Sequence, residues 1–224
     1  MKKGIIITID GPASAGKGTV AKIVAKKLDM DYLDTGAMYR CAALLLKSKA
    51  VDINDDKSVQ KALESSSIQF KKNDDEIIIE LDGKNVTNDI RNSDISILSS
   101  DIATKKAVRE HMTNLQKEIG KNGNIVAEGR DMGTYVFPDA EYKFYIDASL
   151  EERGKRRFNQ LSMHGSQRDI GSIIEDLGKR DLQDKNRSIA PLHPAGNAVI
   201  IDTTQLTIDQ VVNIIINKVR GVYN

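Results

Sequence analysis

The chain has 224 residues, a length that suits one globular domain with room for an insert, and 40% of them are apolar, enough for a sizeable core. Aromatic residues reach only 4% and tryptophan is absent, which argues against a stacking platform for single-stranded nucleic acid. Lys+Arg number 33 against 32 Asp+Glu, a net charge of +1, so no general attraction to nucleic acid or anionic membrane is expected and any anion site must come from local arginine placement.

In chain order, Gly4–Asp10 is a β-branched run of the kind buried in a parallel sheet. Its apolar stretch Ile5–Ile9, interrupted by Thr8, is too short for a signal sequence or a membrane span. A glycine-rich turn follows, and then Val20, Ile23, Val24 and Leu28 form the stripe of an amphipathic helix. A short strand over Asp31–Asp34 leads to a second helix with Met38, Cys41, Ala42 and Leu45 on one face. Cys41 has no second cysteine to pair with, so a reducing, cytoplasmic location is expected.

Residues 64–92 change character. Ser67–Lys72, Glu76–Leu81 and Lys84–Thr87 read as three short strands, and Asp82-Gly83 is a two-residue hairpin signal. Helical periodicity returns over Ser93–Gly120, with a slip of the apolar phase that predicts two helices or a kink near Thr104. Ile125–Ala127 is a strand ending at Glu128, Lys143–Asp147 another, and Leu150–Leu161 a charged helix. Met163–Ile170 is polar and lacks a period, which suits a mobile connection. Ile173–Lys185 is helical, Ala198–Asp202 is a last strand, and Ile208, Val211, Val212, Ile215, Ile216 and Val219 stripe a C-terminal helix.

The run Gly11-Pro12-Ala13-Ser14-Ala15-Gly16-Lys17-Gly18-Thr19 is a P-loop, set between a buried strand and an amphipathic helix as that motif requires. Its backbone N–H groups cradle phosphate, the helix N-terminus adds positive potential, and Lys17 reaches the β- and γ-phosphates of ATP. Gly18 stands where Ser or Thr often touches Mg²⁺, and Thr19 comes one place later. A set of arginines, Arg40, Arg109, Arg130, Arg153, Arg156, Arg157, Arg180 and Arg187, suits transfer between two polyanions, because guanidinium binds phosphate bidentately and stays charged. Glu128 at a strand end is the candidate acid for the Mg²⁺ shell; Asp10 reads as structural. His111, His164 and His193 are scattered and show no ligand spacing.

These segments together resemble the bacterial cytidylate kinases nearly end to end. The resemblance rests on Ile-Thr-Ile-Asp-Gly-Pro before the P-loop, Leu33-Asp34-Thr35-Gly36-Ala37-Met38-Tyr39-Arg40, and Glu128-Gly129-Arg130-Asp131-Met132-Gly133-Thr134. It continues through Glu151-Glu152-Arg153 with Arg156-Arg157, then Arg180-Asp181, Asp184-Lys185-Asn186-Arg187 and Ala190-Pro191-Leu192. It implies an α/β P-loop NTPase fold: a five-stranded parallel sheet in the order 2-3-1-4-5, flanked by helices. It also implies an antiparallel monophosphate-binding insert at about 64–92 and a short lid at about 153–170, within one kinase domain whose core is 1–63, 93–152 and 171–224. The implied activity is ATP- and Mg²⁺-dependent phosphorylation of CMP and dCMP by a cytoplasmic monomer. Arg40, Arg130 and Arg187 match positions that grip the acceptor phosphate. Ser100, Arg109 and Asp131, with Thr35, match those that read cytosine, and Arg180 and Asp184 those facing the ribose. Arg153 and Arg157 match lid arginines that act on the transferring phosphate. The family often has Asp where Glu128 stands. Two alternatives stay open on the residues alone: a related P-loop kinase with another acceptor such as UMP, and a non-catalytic ATP-binding switch.

Overall fold

The computed structural model describes residues 4–73, 76–163, 165 and 167–221. Two compact units emerge, Met1–Asp34 with Gly120–Asn224, and Thr35–Ile119.

The first unit is built on a five-stranded sheet, β1 (Ile6–Asp10), β2 (Asp31–Asp34), β6 (Ile125–Gly129), β7 (Tyr142–Asp147) and β8 (Val199–Asp202), in the order β2-β6-β1-β7-β8. All four pairings are parallel, with Asp10 level with Gly129 and Thr8 with Lys143. Counted as core strands this is the expected 2-3-1-4-5. β1 and β6 are buried along their whole length, as β-branched and small side chains in central strands require. Ile7, Ile9, Val126, Phe144 and Ile146 pack against Val20 and Val24 of α1 (Lys17–Leu28) and Val212, Ile215 and Ile216 of α8 (Ile208–Arg220). α8 begins with a capping box between Thr207 and Gln210 and ends at Gly221.

α6 (Leu150–Ser162) and α7 (Ile170–Asn186) cover Ala13 of the P-loop with Ile173 and Leu177, backed by Leu150, Phe158 and Leu161. The two helices approach so closely at Gly154 that a Cβ there would lie 2.3 Å from Ile174 Cγ1. The first ten residues of the expected lid, 153–162, therefore belong to a helix packed on the unit.

The second unit holds α2 (Thr35–Ser48), α3 (Asp56–Glu64), α4 (Ser93–Ile102) and α5 (Lys106–Ile119) with the antiparallel sheet β3 (Ile68–Asn73), β4 (Glu76–Leu81) and β5 (Lys84–Asn85). Asp82 and Gly83 both take positive φ, 50° and 78°, as the two-residue turn demands. The third strand is shorter than expected: past the Val86 N bond to Ile79 O, Ile79 N donates to the Thr87 hydroxyl, so a side chain ends the ladder. Tight turns over 103–105 separate α4 from α5, which resolves the phase slip as two helices. α3, not anticipated, is capped by Asp55 and buries Val59, Ala62 and Leu63. Among the described residues no helix is long and apolar enough to cross a membrane.

Candidate active site

The P-loop joins β1 to α1 and is pressed against β7. A Cβ on Gly11, at φ 148°, would sit 1.9 Å from the Ile146 carbonyl oxygen, so only glycine fits there. Ser14 and Gly16 are also left-handed, at φ 61° and 94°, and bend the backbone back toward the helix. Gly16 caps α1 without a side-chain bond, so the first-turn N–H groups remain donors for phosphate. Lys17 is buried, and its Nζ donates to Pro12 O at 2.7 Å. Burial pushes its pKa down to about 7, helped by the Arg130 charge and opposed by Glu128 and Asp10.

Three side chains beyond the motif hold the loop from outside. Arg153 Nη1 donates to Ala13 O at 3.2 Å, while Arg156 Nη1 and the Thr203 hydroxyl both donate to Ala15 O at 3.4 Å. Arg156 also bonds the Thr203 carbonyl oxygen at 2.7 Å and Glu152 at 3.0 Å. The resemblance places Arg153 and Arg157 at the start of the lid; it is Arg153 and Arg156, i, i+3 on one helix face, that look to the loop together. Thr203 carries no such signal, because it meets the loop from the far end of the chain. Arg157 is half-buried and donates to Gln160 Oε1 at 2.8 Å.

One strand over, β6 delivers Glu128, Arg130 and Asp131. The backbone then winds through a wide π-type turn over Met132–Val136. Asp10 holds the start of that turn, accepting from Met132 N at 2.9 Å and Gly133 N at 2.8 Å. The structural reading of Asp10 thus gains a specific task. Burial pushes its carboxyl up to about 6, against the pull of those two N–H groups.

Arg130 Nε binds Asp184 Oδ2 at 2.7 Å, and Arg187 Nη2 binds Asp131 Oδ1 at 3.0 Å. Arg187 also lies 3.8 Å from Asp184 and donates through Nε to Ala190 O at 2.6 Å. Burial alone would raise the Asp184 pKa, but Arg130, Arg180 and Arg187 hold it below the usual carboxylate range. Burial likewise opposes the charge on Arg130, and Asp184 more than restores it. The structure thus gathers Arg130, Asp131, Asp184 and Arg187 into one network, with the half-buried Arg180 among the charges acting on Asp184.

The remaining candidates lie in the second unit. Thr35 opens α2 and is buried, Arg40 is half-buried on the same helix, and Ser100 is buried on α4. Arg109 on α5 is 2% exposed, donates to Ala103 O at 3.3 Å and lies 5.8 Å from the Tyr39 ring centre. A guanidinium that deep is held for its charge and donors more than for packing. Of the histidines, His111 has its pKa lowered by burial, His193 contacts Pro194 O, and His164 lies outside the described residues.

The donor set fits a Mg²⁺ ion brought in with a nucleotide. Glu128 Oε1 would be 3.5 Å from a Cβ on Gly18, so a largely buried carboxylate faces the start of α1 beside the phosphate cradle. One carboxylate plus phosphate oxygens and water is the shell this ion prefers. Thr19, in the same helical turn, is exposed.

A family model described as Cytidylate kinase matches residues 7–221. The chain is 44% identical over 216 residues to a cytidylate kinase of Clostridioides difficile (strain 630), covering 96% of this chain and 98% of that one. A cytidylate kinase of Pediococcus pentosaceus is also 44% identical, over 215 residues, covering 96% of this chain and 95% of its own. An uncharacterized protein from Eubacterium ventriosum ATCC 27560 superposes with a TM-score of 0.54 at 14% identity, covering 97% of this chain and 99% of its own, a likeness of fold alone.

Proposed function

The chain belongs to the cytidylate kinase family and phosphorylates CMP with ATP, and we propose here which of its residues carry out that transfer. The observation that carries the proposal is the mounting of two phosphate-binding devices on adjacent strands: the P-loop after β1 and the Arg130–Asp131 turn after β6, joined by Asp10.

Residues 11–19 hold the ATP phosphates, and Lys17 leaves Pro12 O for the β- and γ-phosphates. Their negative charge restores the full charge that burial takes from it. Arg40, Arg130 and Arg187 grip the phosphate of CMP. Arg130 and Arg187 are preset for this, since each already holds a carboxylate oxygen in a buried setting. Asp131, with Arg109, Ser100 and Thr35, reads the cytosine edge: a carboxylate accepts from the exocyclic amine, where uracil presents a carbonyl. Asp184 and Arg180 face the ribose.

An oxygen of the CMP phosphate attacks the γ-phosphorus in line as the bond to the ADP oxygen breaks, giving CDP and ADP. The attacking phosphate is already ionised, so positioning and charge neutralisation by Lys17, Arg153 and Arg157 suffice without a general base. Glu128 and Thr19 would hold a Mg²⁺ ion, which when bound would supply further neutralisation of phosphate charge.

We assign dCMP as a second acceptor and the working form as a cytoplasmic monomer. Residues 64–92 serve as the monophosphate-binding insert and 153–170 as the lid of a single kinase domain. A coupled assay of ADP release with CMP, dCMP, UMP and AMP tests the reading. CMP should give the highest kcat/KM; a higher value with UMP moves the chain to another acceptor, and ATP binding without turnover makes it a switch.

A further inference from the structure

Asp181 lies on α7 between Arg180 and Asp184 and is 8% exposed. Its Oδ2 is 2.7 Å from Arg153 Nη1, and its Oδ1 is buried with no hydrogen-bond partner among the described residues. As a stabilising device this is a poor arrangement. Two desolvated charges recover their solvation cost only when every lone pair and proton is matched, and here one carboxylate oxygen is not. The pair makes more sense as a means of orientation.

Arg153 shows what is oriented. Nε donates to Ala148 O at 3.0 Å, and Nη1 donates to Ala13 O at 3.2 Å and to Asp181. Among the described residues every bond of this guanidinium uses Nε or Nη1. A planar guanidinium held through both Nε and Nη1 has its plane and rotation fixed, so the direction of Nη2 is set before any nucleotide arrives. Asp184, three residues after Asp181 and so on the same face of α7, binds Arg130 at 2.7 Å. One helix therefore carries both the carboxylate that steadies Arg153 beside the P-loop and the one that steadies the acceptor arginine. The tight passage of α6 over α7 at Gly154 locks the two helices in register.

We infer that Asp181 is a positioning residue for phosphoryl transfer: it holds Arg153 against the P-loop so that the Nη2 edge meets the transferring phosphoryl group, and with Asp184 it makes α7 the element that registers donor-side and acceptor-side arginines. The inference rests on the role given to Arg153 above.

The experiment is steady-state kinetics of Asp181→Asn, Arg153→Lys and the double variant with ATP and CMP, alongside thermal unfolding. Asn keeps the shape and an acceptor but drops the charge, so kcat should fall about tenfold while both KM values stay within about threefold. In the Arg153→Lys background the same change should cost less than about twofold, because the group it positions is already gone. Should the Asn variant fail to fold, Asp181→Glu keeps the charge and displaces it by one methylene, and the same kcat loss is expected. A folded Asp181→Asn or Asp181→Glu protein with wild-type kcat overturns the inference. So does a loss of equal size in both backgrounds, which marks a general structural effect. Failure of the underlying reading looks different: wild-type protein making no CDP from CMP, or Arg153→Lys turning over normally.

Discussion

On the proposed reading, Lys17 brings a single buried charge to the transferring phosphoryl group. Burial pushes its pKa down to about 7, which weakens its hold on that charge at neutral pH, and phosphates bound as proposed would strengthen it. Lys17→Met should lower kcat by several orders of magnitude in a folded protein, since each ~1.4 kcal/mol withheld from the transition state is tenfold in rate; near-normal turnover by the purified variant would remove Lys17 from the transfer. Asp131 poses a second question, because it already binds Arg187. If it also reads the base, Asp131→Asn weakens CMP use and narrows the CMP-over-UMP ratio of kcat/KM by ~1–3 kcal/mol, since an amide can donate to uracil's carbonyl. An unchanged ratio with a raised KM leaves Asp131 as a partner of Arg187 only. The P-loop residues were legible in the sequence because glycines, lysine and the flanking strand and helix lie within one short stretch. The ion pairs of Arg130 with Asp184, Arg153 with Asp181 and Arg187 with Asp131 were not, because the partners lie many turns apart in the chain and no local pattern encodes them.

Among the elements, those with a sustained period were read correctly. β1 is a β-branched run, β6 and β7 are short apolar runs, α8 has a long apolar stripe, and the break near Thr104 showed as a slipped phase. α3 was missed because its buried residues Val59, Ala62 and Leu63 span little more than one turn. The π-type turn at 132–136 could not be read at all: its shape depends on Asp10, more than a hundred residues earlier. α7 was legible as a helix but not as the carrier of two carboxylates. Asp184 bonds Arg130, lies 3.8 Å from Arg187 and feels the charge of Arg180, so it is held ionised among three guanidiniums. An ionised carboxylate is a strong acceptor for the ribose 2′-hydroxyl. Asp184→Ala should therefore hurt CMP more than dCMP, lowering the CMP/dCMP ratio of kcat/KM about tenfold for a bond of roughly 1.5–3 kcal/mol. Equal losses with both substrates would return Asp184 to a purely supporting role for Arg130.

For the whole molecule, the strand order sets the terms. β1 lies between β6 and β7, so its C-terminal end carries both the P-loop and Asp10 into the most buried part of the sheet. Hydrophobic period cannot fix that order; the resemblance to a known family supplied it. The consequence is a site assembled from charges that resist burial, and it shows in the pH dependence of stability. Asp10, raised to about 6, binds its proton more tightly folded than unfolded, so its contribution is complete below about pH 4 and is lost as pH rises through 6. Lys17, lowered to about 7 from 10.5, acts in a different window: the folded state binds fewer protons between those values, so stability climbs with pH across them. From pH 7 to 8.5 that gain is about 1–2 kcal/mol, or a rise of a few °C in Tm for a chain of this size. Thermal unfolding of the nucleotide-free protein at the two pH values should show the rise. In Lys17→Met it should vanish, because the variant has no charge to desolvate, and at pH 7 the variant should melt higher than wild type. A rise of the same size in Lys17→Met would place its origin elsewhere, and a flat wild-type profile would mean that Lys17 keeps its full charge in the empty loop.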